Sequence, residues 1–378
     1  MKAIEMAANE MPAKQWFLYG NDLDLARQQL GQKISKAGET PTDYQRQLKL
    51  ISLLTYIGAY DDCENWLRRV QGHNQLIGQQ STYRILRRRG EPNPWRGLLG
   101  GQGQQQLEQA IEQRFSQGLP VAVDLVGGIG DQLETAALLL ASRSGLPRPE
   151  ALWLRPSGEN SNVVRALLAE VPGLPLEPSW GIEGSWHVTS PWFRFWMGLR
   201  GLEQAPGALL QDPQPAPGGG GLLVCWRCKP DPANPLSSFS RSLPFPLILE
   251  LYGRWQRAAT QGLRLLDMGD YNPEEIQILK RLAPWVQLVR QQIQSLRDTR
   301  KLMAQCSAIA TVDTSLGHLA VACGRQVQLL LPQFPDERWY DLLGRDGRYR
   351  QLVAPHRQEG FHRWQGALAS LETKLGIN

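Results

Sequence analysis

The residues best suited to chemistry in this 378-residue chain are Asp313, Thr314 and Ser315, with His318 one helical turn later. They follow the apolar run IATV, which reads as a short buried strand. They precede SLGHLAVAC, which reads as a helix, and Gly324 fits its C-terminal cap. Asp, Thr and Ser are all favoured at a helix N-cap. A strand running into a capped helix aims unpaired N–H groups and the helix dipole at one point. That suits an anion, and in particular a diphosphate. An ordinary βαβ unit with a buried histidine has the same spacing.

A second set is Gly127, Gly128 and Gly130, followed by Asp131. The glycines allow a sharp turn and close approach of backbone to a ligand. Their spacing is not the G-x-G-x-x-G dinucleotide fingerprint. Asp131 is either a helix cap or a carboxylate offered to a ligand, and Glu134 stands one turn on. Lys229 and Arg241 lie in the segment after GLLVCW, at a strand's C-terminal end. Ligands of open sheets bind there, and the two cations would neutralise a diphosphate. Exposed loop charges would look the same. His187 and Trp192 belong to the aromatic run SWHVTSPWFRFWMGL, which either stacks on sugar faces or forms a buried cluster.

Two other patterns lack the context their chemistry needs. Cys225 and Cys228 have redox spacing, but the first lies in a strand pattern and Lys-Pro-Asp-Pro follows. A zinc site would need a second ligand pair at suitable spacing. Asp22 and Asp24 precede a helix rather than end a strand. No metal and no cofactor is therefore expected.

Bulk properties suit a globular protein with real cores. The chain is 42% hydrophobic and 20% charged, with a formal net charge of +5. That balance allows anionic ligands, and no nucleic-acid-binding motif accompanies it. The first residues have no signal-peptide core, and no run reaches the ~18 apolar residues that span a bilayer. Five cysteines, an odd and small number for this length, argue against a disulfide framework. The expected place is the cytoplasm, with contact to the inner membrane surface open.

The elements that must position these residues fall into five parts. Residues 1–115 read as helices, and 116–204 as a first α/β layer carrying VAVDLV and ALWLR as strands. Residues 205–221, rich in Pro and Gly, read as a linker. Residues 222–357 supply GLLVCW, LRLLDM, PWVQLV, IATV and QVQLLL as strands of a second layer, and 358–378 a terminal helix.

The run D-T-S-x-x-H-L-A, then a strand and L-L-P-x-x-P-D-x-R-W, resembles the C-terminal half of family-nine glycosyltransferases. These include the ADP-heptose:lipopolysaccharide heptosyltransferases. The matching residues are Asp313 to Ser315, His318 to Ala320, Leu331, Pro332, Pro335, Asp336, Arg338 and Trp339. G-I-G-D-x-L and the Trp226, Arg241, Ser242, Pro244 segment are similar to relatives that join tetratricopeptide repeats to such a domain. LLTYIGAYDDCENWLRRV resembles one tetratricopeptide hairpin. The resemblance implies a GT-B-like fold, two Rossmann-like domains facing a cleft, behind a tetratricopeptide-like helical region. It implies inverting, metal-independent transfer from a nucleotide-diphosphate sugar to a glycan, lipid-linked or protein acceptor. Asp131 would be the base. Asp313, Thr314, Ser315, His318, Arg241 and Lys229 would hold the donor. His187 and Trp192 would border the acceptor. The alternative is a transferase-like protein without catalysis that binds a protein partner through its N-terminal helices.

Overall fold

The computed structural model describes residues 23–36, 47, 51, 54–55, 58–70, 102–207, 209–210, 221–229, 240–344, 347–360 and 363–377. The NPWRG segment, Asp22, and residues 211–220 of the Pro/Gly run lie outside them. Two N-terminal helices, α1 (Leu23–Lys36) and α2 (Tyr60–Val70), are joined by an Arg27–Asp62 pair at 2.8 Å. Leu30, Ile34, Cys63 and Leu67 are buried in this unit. Gly58 sets the turn before α2 with φ +73°. The Phe334 ring fills the space a side chain at Gly58 would need, and Tyr60 meets the same ring edge-on at 6.4 Å. Phe334 belongs to the LLPQFPD loop, so this N-terminal unit touches a segment far along the chain.

The helix α3 (Gln102–Gln117) runs across the boundary expected at residue 115. Ile111 and Phe115 are buried in the first layer, and Phe115 stacks on Trp196 at 5.5 Å. Then come β1 (Val121–Leu125), α4 (Ile129–Ser142), β2 (Leu152–Pro156), α5 (Ser161–Leu168), β3 (Trp186–Thr189) and α6 (Ser190–Leu199). The strands form a parallel sheet in the order β2-β1-β3. The aromatic segment thus divides into a strand and a helix, a split its composition did not show. Phe193, Phe195 and Trp196 are fully buried, which resolves that segment largely into core.

The expected linker is not free along its whole length. Leu209 and Leu210 are buried, and both backbone N–H groups donate to Ala322 O, at 3.3 and 2.9 Å. Two adjacent leucines gain more from the core than a solvated linker offers them. Their N–H groups also satisfy a carbonyl at a helix end.

The second layer comprises β4 (Gly221–Cys225), α7 (Phe245–Thr260), β5 (Arg264–Asp267), α8 (Pro273–Leu282), β6 (Val286–Leu288), α9 (Leu296–Ala304), β7 (Ala308–Val312), α10 (Ser315–Ala322), β8 (Val327–Leu331), α11 (Glu337–Gly344), α12 (Arg348–Leu352), β9 (Val353–Arg357) and α13 (Gln365–Leu375). Six parallel strands run in the order β6-β5-β4-β7-β8-β9. Their burial on both faces explains unbroken apolar runs such as GLLVC and the LLL of VQLLL. Capping is written locally. Asn272 and Glu275 cap α8 reciprocally, with Pro273 at its first position, and Ser295 and Asp298 do the same for α9. The C-terminal helix belongs to this layer, with Trp364, Leu368 and Leu371 in its core. Another buried apolar cluster runs through both layers, from Val121 and Leu133 to Ile309, Leu316 and Leu319.

Candidate functional site

The strand order of the second sheet reverses between β4 and β7. The carboxyl ends of those two strands are where open α/β sheets bind ligands. Thr314, the N-cap of α10, comes directly after β7 and Asp313. Its Oγ1 accepts the Leu316 N–H at 3.3 Å and lies 2.9 Å from Thr311 Oγ1. Thr311 stands on β7 beside Cys225 of β4. Ser315 is half-buried at the helix start.

Arg241 arrives on the segment after β4. Its Nη1 donates to Asp313 O at 2.8 Å and lies 3.8 Å from the Asp313 carboxylate. Ser242 Oγ accepts the Cys228 N–H at 3.0 Å, so both ends of that segment are tied to the switch point. Asp313 is 2% exposed, and its Oδ2 has no hydrogen-bond partner. A buried, unsatisfied carboxylate oxygen is costly, and a donor from a bound ligand would complete it. Lys229 is exposed just past β4. Burial pushes the Cys225 thiol up to about 12, which disfavours the free thiolate that nucleophilic chemistry needs.

The Gly loop meets this site from the first layer. Gly127 has φ +101°, a left-handed conformation that favours glycine. Asp131 Oδ2 accepts the Gly128 N–H at 2.8 Å, so the residue caps its own helix. Its other oxygen accepts from Arg338 Nη1 on α11. Asp131 keeps 41% of its side-chain surface exposed, against 15% for Arg338. Burial opposes the Arg338 charge, but Asp131, Asp336 and Asp313 outweigh it and hold its pKa well above the ordinary value.

His318 is fully enclosed. It is 1% exposed, its Nδ1 lies 2.8 Å from Tyr349 Oη, and its ring stacks on Trp339 at 4.8 Å. A Cβ on Gly130 would fall 2.6 Å from His318 Cδ2, so α4 and α10 touch through that glycine. Where the sequence implies an open cleft between these helix starts, the two layers are in contact there. Burial, with the Arg338 charge second, lowers the His318 pKa to about 4, so the ring is neutral at pH 7. Its Nε2 has no hydrogen-bond partner.

Other candidates sit elsewhere. Glu134 is 3% exposed and pairs with Arg194 at 3.2 Å, a framework role. Asp267 ends β5, the place where dinucleotide folds keep a ribose-binding acid. It is buried instead under Tyr252 Oη at 2.5 Å, Tyr271 Oη at 2.7 Å and the Gly269 N–H at 2.7 Å. His187 is exposed on β3, and Trp192 packs edge-on against Phe195 at 5.8 Å. Neither lies among the contacts that join Asp131, Arg338 and His318. Sequence reasoning gave Arg338 and Tyr349 no role. The D-x-R-W run was visible, but nothing in it showed which carboxylate the arginine meets.

No family model and no curated protein matches the chain. Among solved structures, the chain is similar to E. coli heptosyltransferase WaaC with ADP, at 14% identity and a TM-score of 0.45 over 69% of this chain and 100% of that one. The same protein with ADP-2-deoxy-2-fluoro heptose gives 14% and 0.44 over 69% and 100%. E. coli ADP-heptose lps heptosyltransferase II gives 14% and 0.34 over 56% and 84%. Among the described residues, no helix is long and apolar enough to cross a membrane.

Proposed function

We propose that the chain is a glycosyltransferase that moves a sugar from a nucleotide-diphosphate donor to an acceptor hydroxyl, with inversion and without a metal. The observation that carries this reading is the meeting of Arg241, Asp313 and the Thr314-capped start of α10 at the reversal of strand order. A helix N-terminus and a guanidinium together supply the positive environment a departing diphosphate needs. Lys229 stands at the rim of the same strand end. The D-T-S-x-x-H-L-A and G-I-G-D resemblances support the same reading. Asp131 is the general base in it, and its exposed carboxylate accepts the proton of the attacking hydroxyl. The neutral His318 serves by packing α10 against Gly130, and its free Nε2 faces that junction.

The experiment is calorimetric titration of the full chain with ADP-, GDP-, UDP- and CMP-linked sugars. Wild type binds one of them, and Arg241→Ala weakens that binding about tenfold or more, as loss of a charge-assisted bond costs ~1.5–3 kcal/mol. Unchanged affinity in Arg241→Ala contradicts the donor site.

One observation favours a second reading, binding without turnover. The Arg338 guanidinium occupies one Asp131 oxygen and the Gly128 N–H the other. A protein that binds donor but never releases the nucleotide in the presence of acceptors fits that reading instead.

A further inference from the structure

The most exposed large hydrophobic residue among those described is Trp180, at 86%. Tryptophan is highly buried on average, and an indole this exposed offers a flat apolar face with a polar edge to a ligand beside it. Trp180 lies on the loop from Glu177 to β3. The loop is held while its tip protrudes. Arg165 donates to Glu177 O at 2.5 Å, Gly181 N–H to Pro178 O at 3.0 Å, and Arg114 to Gly184 O. Gly181 and Gly184 take φ +78° and +71° to make the turns.

Beside the indole is a concavity of about 480 Å³ lined by Arg155, Arg165, Glu177, Ser185 and His187. That volume falls in the roughly 300–1,000 Å³ range of small-molecule sites. At its edge Arg155 grips Asp124 with two bonds, at 2.6 and 2.9 Å. His187 bridges Asp124 and Ser185, with Nδ1 3.4 Å from Asp124 Oδ1 and Nε2 3.3 Å from Ser185 Oγ. The order serine, histidine, aspartate is that of a nucleophile and its base. Here the bidentate arginine spends the carboxylate's charge, and the histidine contact is long. The groups are arranged to recognise a ligand rather than to attack one. Arg155 and Arg165 are offset by Asp124, Glu177 and Glu183, so the concavity does not select a strong anion.

We propose that this concavity binds a neutral saccharide. Trp180 stacks on one face of a pyranose ring, and Arg155, Ser185 and His187 meet its hydroxyls. Planar side chains with paired donors or acceptors match neighbouring hydroxyls well. Saccharide binding here stands apart from donor binding and does not depend on it.

The test uses the full chain without nucleotide. Saturation-transfer NMR is recorded with methyl glycosides of glucose, galactose, mannose and N-acetylglucosamine, with adenosine as an aromatic control. At least one glycoside receives saturation on its ring protons in wild type. Trp180→Ala weakens that binding about tenfold, Trp180→Phe largely keeps it, and both keep the wild-type melting temperature because the side chain packs on little. No transfer to any glycoside, undiminished transfer in Trp180→Ala, or saturation of adenosine alone overturns the inference. Arg241→Ala, which reports on the donor site, leaves the glycoside signal unchanged. The two readings therefore fail separately.

Discussion

Asp131 and Arg338, 207 residues apart, form an ion pair that ties the first turn of α4 to the first turn of α11. The same carboxylate caps α4 through the Gly128 N–H. One residue thus joins the Gly loop of the first layer to the D-x-R-W segment of the second. From the sequence alone, Asp131→Asn is neutral for stability, because Asn caps a helix about as well as Asp. The pair changes that expectation. Asn removes the charge facing a guanidinium that is 15% exposed, leaving Asp336 at 3.0 Å as its remaining carboxylate contact on that side. With Asp131 itself 41% exposed, the cost is about 1–2 kcal/mol, well below a fully buried pair. A double-mutant cycle with Arg338→Met in urea unfolding checks it. Additive effects would mean the pair contributes nothing.

Catalysis gives Asp131→Asn a second readout. Loss of a general base lowers turnover by ~10²–10⁴. Donor affinity holds, because the phosphates are assigned to Arg241 and α10. Initial rates and donor titration of the same variant separate the two. Normal turnover would leave Asp131 with its cap and ion pair alone.

Two glycines at helix starts should respond to alanine in opposite ways. At Gly130 the new Cβ would fall 2.6 Å from His318 Cδ2, and His318 is locked by Trp339 and Tyr349. Overpacking of that kind costs about 1–3 kcal/mol. At Gly317 the new Cβ would meet Leu329 Cδ1 at 3.5 Å and Thr311 Cγ2 at 3.6 Å, ordinary contact. Gly317→Ala then gains about 0.5–1 kcal/mol from helix propensity. Thermal unfolding of both variants reads the signs directly, and a destabilised Gly317→Ala contradicts this packing.

The buried imidazole makes stability depend on acid. The His318 pKa is about 4 in the fold against 6.5 in an unfolded chain. Between those values the unfolded chain binds the extra proton. Stability is therefore intact above pH 6.5, falls as pH drops toward 4, and loses nothing more from this group below that. The full loss is about 3 kcal/mol. His356, also buried and also lowered, adds a parallel loss. Comparing wild type with His318→Phe isolates the first. If both unfold with the same pH slope, His318 is not the proton acceptor.

Much of the framework was legible because its signals are local. Apolar runs bounded by Gly, Pro or helix-capping residues marked β1, β2, β4, β5, β6, β7 and β8, since strands buried on both faces need no alternation. Thr314 and Gly324 marked the ends of α10 because caps act within one turn. The strand β3 was hidden inside an aromatic run, and β9, VAPHR, carries a proline and two polar residues that mask it.

Most element types, the caps and the grouping of Asp313, Thr314 and Ser315 can be read from the chain, because neighbouring residues decide those. The partners of these residues come from packing between distant segments. Arg241 is brought to Asp313 by the strand order, and Arg338 to Asp131 by the contact of two layers. His318 reads as a ligand in the chain and is enclosed in the fold, since Gly130 leaves room for its ring. Leu209 and Leu210 read as linker and are buried, since the junction of α4 and α10 offers apolar surface that no local pattern records. Contacts between distant segments depend on the summed packing of both layers, and no window of sequence contains that sum.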